Sequence, residues 1–180
     1  MGEKKIRKKR VLLIVAYNGY QQTEYFETKT VLKKGGFEIV TASNRIGTAT
    51  ASDGSTTPVD VAINRIIPIE YGGIFFIGGP GAMDQLDNKT SYAVIQDAAR
   101  ENMPLGAICV SPRILAKAGI LNGRRATGWN NDGKLAKTYE QHNVILDQKP
   151  VVVDGNIITA MGPKNATEFG QAILTVLKIS

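Results

Sequence analysis

The chain has one cysteine, one histidine and one tryptophan among 180 residues. Each scarcity excludes something. A lone cysteine cannot close an internal disulfide, which fits a reducing, cytoplasmic setting. One Cys with one His does not make a metal site, so neither a metal nor any other cofactor is expected. Long apolar runs are missing too: nothing approaches the roughly 18 residues that cross a bilayer, and no membrane association is expected. The stretch VLLIVAY (11–17) is short and lacks a small-residue cleavage site, so it reads as a first strand rather than a leader. Internal repeats, low-complexity tracts and linkers are also lacking, and the length suits one folded domain.

Charge is unevenly spread. The net +6 is concentrated in MGEKKIRKKR, which holds six Lys/Arg and one Glu and leaves only +1 for residues 11–180. The expectation is a basic N-terminal tail over 1–10 followed by a single near-neutral domain over 11–180. No basic stripe with interleaved aromatics continues into the body, which argues against nucleic-acid binding.

What is present is an alternation of two patterns. Apolar, β-branched runs recur at VLLIVAY (11–17), FEIVTAS (37–43), GIFFIGG (73–79), PLGAICV (104–110), PVVVD (150–154) and NIITAM (156–161). Such runs are typical of strands buried on both faces in a parallel sheet. Helical spacing fills 22–34, 90–102 (with Thr90 or Ser91 as N-cap), a stretch after Cys109, and 164–178. Ser111 and Pro112 suit the cap and first turn of the third of these. The alternation predicts a doubly wound α/β sandwich with a mainly parallel central sheet.

In such a sheet, ligands bind at the carboxyl ends of the strands. Cys109 ends one strand directly before a helix, flanked at two residues' distance by the small Ala107 and Ser111. A sharp strand–nucleophile–helix turn needs small residues there. A thiol at a helix N-terminus also faces unpaired N–H groups, so its pKa is expected to fall. The competing reading is that Cys109 simply fills space, as free cysteines usually do. A second cluster, Gly78-Gly79-Pro80-Gly81, follows the strand GIFFI. It lacks a phosphate-loop Lys and the dinucleotide spacing. Locally it reads as a tight turn, although glycines there can also bring N–H groups close to a reacting atom.

Four stretches together resemble the DJ-1/PfpI superfamily, also called peptidase family C56, from about residue 10 to the C-terminus. They are TEYFETKTVLKKGG (23–36), GGPGAMDQL (78–86), GAICVSPRILAKAGILNGRRAT (106–127) and VVVDGNIITAMGPKNATEFGQAIL (151–174). The resemblance implies a flavodoxin-like fold in which Cys109 is the elbow nucleophile and Glu24 reaches it from the first helix. It further implies an oxyanion hole from the backbone of Gly79 and Val110, with Gly78 and Trp129 at the pocket. A glutamate in that role is expected to have a raised pKa and to act as donor or proton shuttle.

The sequence departs from the family at the histidines. Protease-like members read Cys-His-Gly at the elbow, and here the order is Cys109-Val110-Ser111. Other members place a histidine where Trp129 stands, and His142 reads as a loop or helix-end residue. A Cys–His–acid triad is therefore not expected, which weakens peptidase chemistry more than aldehyde addition. Three readings follow. The first is a glyoxalase- or deglycase-type enzyme acting on small reactive aldehydes, or on protein modified by them, in stress protection. The second is a redox-sensing or chaperone-like protein in which Cys109 is oxidised without turnover. The third is an intracellular cysteine peptidase. The resemblance also implies a homodimer or larger homo-oligomer.

Overall fold

A computed structural model describes residues 8–180. Residues 1–7, most of the expected basic tail, lie outside the described residues. The chain runs through β1 (Arg10–Ile14), β2 (Asn18–Tyr20), α1 (Gln22–Lys34), β3 (Glu38–Ser43), β4 (Gly47–Ala51), β5 (Thr56–Val59) and β6 (Val61–Ala62). It continues with β7 (Gly73–Phe76), α2 (Ala82–Leu86), α3 (Lys89–Arg100), β8 (Leu105–Ile108), α4 (Pro112–Lys117) and β9 (Arg125–Ala126). The last elements are α5 (Lys134–Gln141), β10 (Ile145–Leu146), β11 (Val151–Asp154), β12 (Ile157–Ala160) and α6 (Ala166–Ile179).

Seven strands form the central sheet in the order β11-β12-β8-β7-β1-β3-β6. Every pairing is parallel except that of β11 with β12. Alternation of side chains along β1 shows why the strands are apolar throughout. Leu12 and Ile14 face a layer built on α3, α4 and α5, through Ile95, Ile114 and Leu135. Val11 and Leu13 face the opposite layer, built on α1 and α6, through Tyr25, Leu32, Phe169 and Ile173. All of these side chains are fully buried, and each is worth about 1.5–3 kcal/mol of hydrophobic stabilisation. The architecture is the doubly wound, mainly parallel α/β sandwich expected from the sequence.

The six apolar runs all became strands of this sheet. Two small sheets were not foreseen. One pairs β2 with β4 and β4 with β5; the other pairs β9 with β10. Their sequences, such as Gly47–Ala51 (GTATA) and the two-residue β9 (RA), carry too little apolar periodicity to stand out. Helix α3 is capped by Asn88, whose side chain accepts the Ser91 N–H, rather than by Thr90 or Ser91. Asn is at least as good an acceptor there, and Ser91 is instead buried inside the first turn. Among the described residues, no helix is long and apolar enough to cross a membrane.

Candidate active site at the Cys109 elbow

β8 ends at Ile108 and α4 begins at Pro112, and the turn between them places Cys109 at φ +66°. A non-glycine residue in the left-handed region is strained by about 1 kcal/mol or more, and it persists only where the surroundings hold it. Three hydrogen bonds do so. The Cys109 N–H donates to Ala160 O at the end of β12 (2.9 Å), and Cys109 O accepts from Trp129 N (2.7 Å). The third is made by Ser111, whose Oγ donates to Ile77 O at the end of β7 (2.8 Å). Ser111 therefore does not cap α4 with its side chain, as its position suggested. Its hydroxyl ties the elbow to the neighbouring strand instead.

Glu24 lies in the first turn of α1, where its N–H donates to the side chain of Gln21 (2.9 Å). From there its carboxyl reaches the carboxyl ends of β7 and β8. Oε2 accepts the N–H of Gly78 (2.8 Å), while Oε1 is buried without a hydrogen-bond partner. Gly78 makes the convergence possible. A Cβ on it would lie 2.5 Å from Cys109 Cβ and 2.8 Å from Glu24 Oε2. Only a residue without a side chain leaves room for both groups.

The backbone N–H groups of Gly79 and Val110 both bear on the Cys109 sulfur. Gly79 adopts φ +120°, and a side chain on it would strike Gln21 N and Gly19 O, each at 2.5 Å. The turn read from its glycines is thus real, but it also aims a donor at the sulfur. Two N–H groups beside a sulfur are an arrangement that an oxyanion hole would require.

Burial dominates the titration of this pair. Desolvation raises Glu24 from 4.5 to about 7, against the Gly78 N–H, which stabilises the ionised form. Cys109 is pushed up to about 12, first by desolvation and then by the charge of Glu24. The Val110 and Gly79 N–H groups pull the other way and are outweighed. The lowered thiol pKa expected from a helix N-terminus is therefore corrected. Helix α4 has only 6 residues, too short for a strong dipole, and the thiol is 9% exposed beside a carboxylate.

Trp129 packs against the Cys109 layer and forms one wall of a cleft of about 330 Å³, shared with Asn130, Asn131, Asp147, Gln148 and Met161, whose lining includes none of Cys109, Glu24, Gly78, Gly79 and Val110. Sequence reasoning missed Arg113, one helical turn beyond Cys109. Arg113 is buried, with a guanidinium N–H donating to Asp132 (2.7 Å) and to Trp129 O (3.4 Å) and its charge 5.8 Å from the indole. Its partners lie 16 and 19 residues away, so no local pattern marks it. His142 caps the end of α5 near Asn122 and Gly123, ahead of β9, whereas Trp129 meets the elbow beyond β9's other end. It is not brought to the thiol. Among the described residues, no three His, Cys, Asp or Glu side chains are grouped as a metal site would need.

Comparison with known proteins places these features in context. Residues 9–176 match the DJ-1/PfpI family. A protein of Methanocaldococcus jannaschii is 31% identical over 94% of this chain and 82% of its own length. The deglycase of Pyrococcus abyssi is 27% identical over 93% of this chain and 99% of its own. Among solved structures, the ThiJ/PfpI domain protein of Brachyspira murdochii superposes with a TM-score of 0.92 at 26% identity, covering 97% of this chain and 99% of that one.

Proposed function

The chain belongs to the DJ-1/PfpI family, and on that footing we propose that it is a deglycase-type enzyme converting reactive 2-oxoaldehydes to 2-hydroxy acids. One observation carries the reading. A strained cysteine, a buried carboxyl with a pKa near neutrality and two N–H donors meet at one point beside Gly78.

Chemically, the carboxylate of Glu24 takes the thiol proton as Sγ attacks the aldehyde carbon. This is necessary because a thiol with a pKa of about 12 is not ionised at neutral pH. The oxygen of the adduct develops negative charge between the Gly79 and Val110 N–H groups, and Glu24 then delivers the proton to it. The product is a hemithioacetal. Glu24 next removes the hydrogen on the sulfur-bearing carbon and returns it to the adjacent carbonyl carbon, while the ketone oxygen gains a proton from the first hydroxyl. A thioester of a 2-hydroxy acid results. Water cleaves it, releasing the acid and restoring the thiol. For methylglyoxal the net reaction is addition of one water to give lactate. A glycated amine adduct enters at the same carbon after losing its amine.

The peptidase reading gains nothing from the geometry, since amide cleavage needs an acid for a poor leaving group and His142 lies elsewhere. Lactate formation from methylglyoxal is the direct assay. Wild-type protein should produce it with kcat/KM rising through an apparent pKa of about 7, as Glu24 ionises. Cys109→Ser and Glu24→Gln should each abolish it. Equal rates for wild type and Cys109→Ser would refute the proposal.

A further inference from the structure

The peptide unit joining Gly78 to Gly79 is planar, so its carbonyl oxygen and its N–H point in opposite directions. The N–H bears on the Cys109 sulfur, and the oxygen accepts the Gln21 N–H (2.9 Å). Both residues of the unit are glycines, with Gly79 at φ +120°, so no Cβ resists its turning over. Turned over, it would aim an oxygen rather than a donor at the place where the proposed reaction develops negative charge. The segment that carries Gln21 therefore decides which group faces that place.

That segment is β2, which Gln21 directly follows, and one side chain ties it to the glycine loop. Gln85, half-buried in α2, bridges Asn18 in both directions. Its Oε1 accepts the Asn18 N–H (3.0 Å) and its Nε2 donates to Asn18 O (2.7 Å). Among the described residues, β4 is the only strand that pairs with β2. The primary amide of Gln85 stands in for a second strand, offering donor and acceptor together. Gly81 makes room for the bridge: a Cβ on it would lie 1.9 Å from Asn18 O and 2.7 Å from Gln85 Nε2. The Gly81 N–H then donates to Gly19 O (3.0 Å), and the Gln85 N–H to Gly81 O (3.2 Å). Gln85 thus joins the two segments 67 residues apart, near the surface and without burying an apolar group, so its role is geometric.

We propose that Gln85 is a positioning residue for the oxyanion site: through β2 it holds the Gly78–Gly79 peptide with its N–H toward the reacting oxygen. The inference rests on the proposed function and adds to it a residue that never touches substrate. Gln21 does more than fix a direction. Its N–H donating to Gly78 O polarises the shared peptide and strengthens the Gly79 N–H as a donor. Losing that alignment weakens an interaction made with developing charge rather than with the ground-state aldehyde. The cost therefore falls on kcat and leaves KM nearly unchanged.

The test compares wild type with Gln85→Met, which keeps the side chain's length and removes both hydrogen bonds. Asp84→Asn, at the exposed neighbouring position, is the control and should match wild type. On methylglyoxal, Gln85→Met should lower kcat about tenfold, less than the roughly 10²–10³ lost when an oxyanion donor is removed outright. A second readout does not depend on turnover. The Gly79 N–H is one of two groups that favour the thiolate, so Gln85→Met should react with iodoacetamide about threefold more slowly at pH 10. A loop that merely loosened would expose the thiol and label faster. Gln85→Glu keeps an acceptor for the Asn18 N–H but, once ionised, has no donor for Asn18 O, and should change both readouts in the same direction. Unchanged kcat while wild type turns over, or labelling as fast as wild type or faster, would overturn the positioning role and leave the proposed reaction standing. Slower labelling of the variants without turnover by any of the proteins would uphold the role and refute the reaction.

Discussion

The backbone N–H of Trp129 donates to the carbonyl oxygen of Cys109 at 2.7 Å, so the strained elbow and the cleft wall share one hydrogen bond. Arg113 holds the other side of the same segment, through Trp129 O and Asp132. Replacing Arg113 by Met keeps the side chain's bulk and removes the fork. We expect kcat/KM on a small aldehyde to fall about tenfold, mostly in kcat, because displacements of an ångström at a reacting centre cost this much or more. The Trp129 emission should shift to the red as its ring loosens. Unchanged emission together with unchanged kcat would show that the clamp does not position the elbow.

Glu24 should make the folded protein less stable as pH rises. Its pKa is raised from 4.5 to about 7 on folding, so the native state holds the proton more tightly than the unfolded chain. The stabilising contribution is fully present below about pH 4.5 and lost as pH rises through about 7. It amounts to about 3 kcal/mol for a wholly buried group. Glu24→Gln, which can still accept the Gly78 N–H, should remove this dependence and be the more stable protein at pH 8.5. Denaturant midpoints measured at pH 5 and pH 8.5 for both proteins decide the point.

The thiol itself should be sluggish. With its pKa pushed up to about 12, Cys109 should react slowly with iodoacetamide at pH 8, with a rate still climbing at pH 10. Because the Glu24 charge is one cause of the shift, Glu24→Gln should speed labelling at pH 8 by about tenfold, the effect of one pKa unit. Rapid labelling of wild type with an inflection below 8 would show that the N–H donors outweigh burial after all. Intact-mass spectrometry reads both rates.

Gly78→Ala should disable the site by steric means alone. The added methyl would sit 2.5 Å from Cys109 Cβ and 2.9 Å from Ile108 O, and the latter is backbone that cannot swing aside. A loss of about 1–3 kcal/mol in stability is expected from such overpacking, with activity abolished. Gly162→Ala, where a side chain meets nothing within 4 Å and the backbone is extended, is the control for loss of glycine as such.

The sheet was legible because its central strands are covered on both faces and must be apolar along their length, as Val11 to Ile14 illustrate. That Cys109, Glu24 and Gly78 converge was also legible, since an elbow needs its small neighbours and the family motifs span the chain. The thiol's pKa was not legible. Its sign depends on how far burial and a carboxylate outweigh two N–H groups, a balance set by three-dimensional distances. The Ser111 hydroxyl was misplaced for a similar reason, as Ile77 O competes for it from 34 residues away. Arg113 and the small accessory sheets were missed because their partners are remote or their strands are only a few residues long.

The accessory sheet has a consequence for how this protein could diversify. β2 crosses directly over the glycine loop: Gly81 N donates to Gly19 O (3.0 Å), Gln21 N donates to Gly78 O (2.9 Å), and a side chain on Gly81 would lie 1.9 Å from Asn18 O. The position of the Gly79 donor is therefore set from above, by a strand whose other neighbours are β4 and the hairpin leading to β5. Substitutions at that outlying hairpin would be transmitted through a single strap to the Gly79 N–H, where the proposed reaction would develop charge. Peripheral drift could in this way tune the proposed site while Cys109 and Glu24 stay the same.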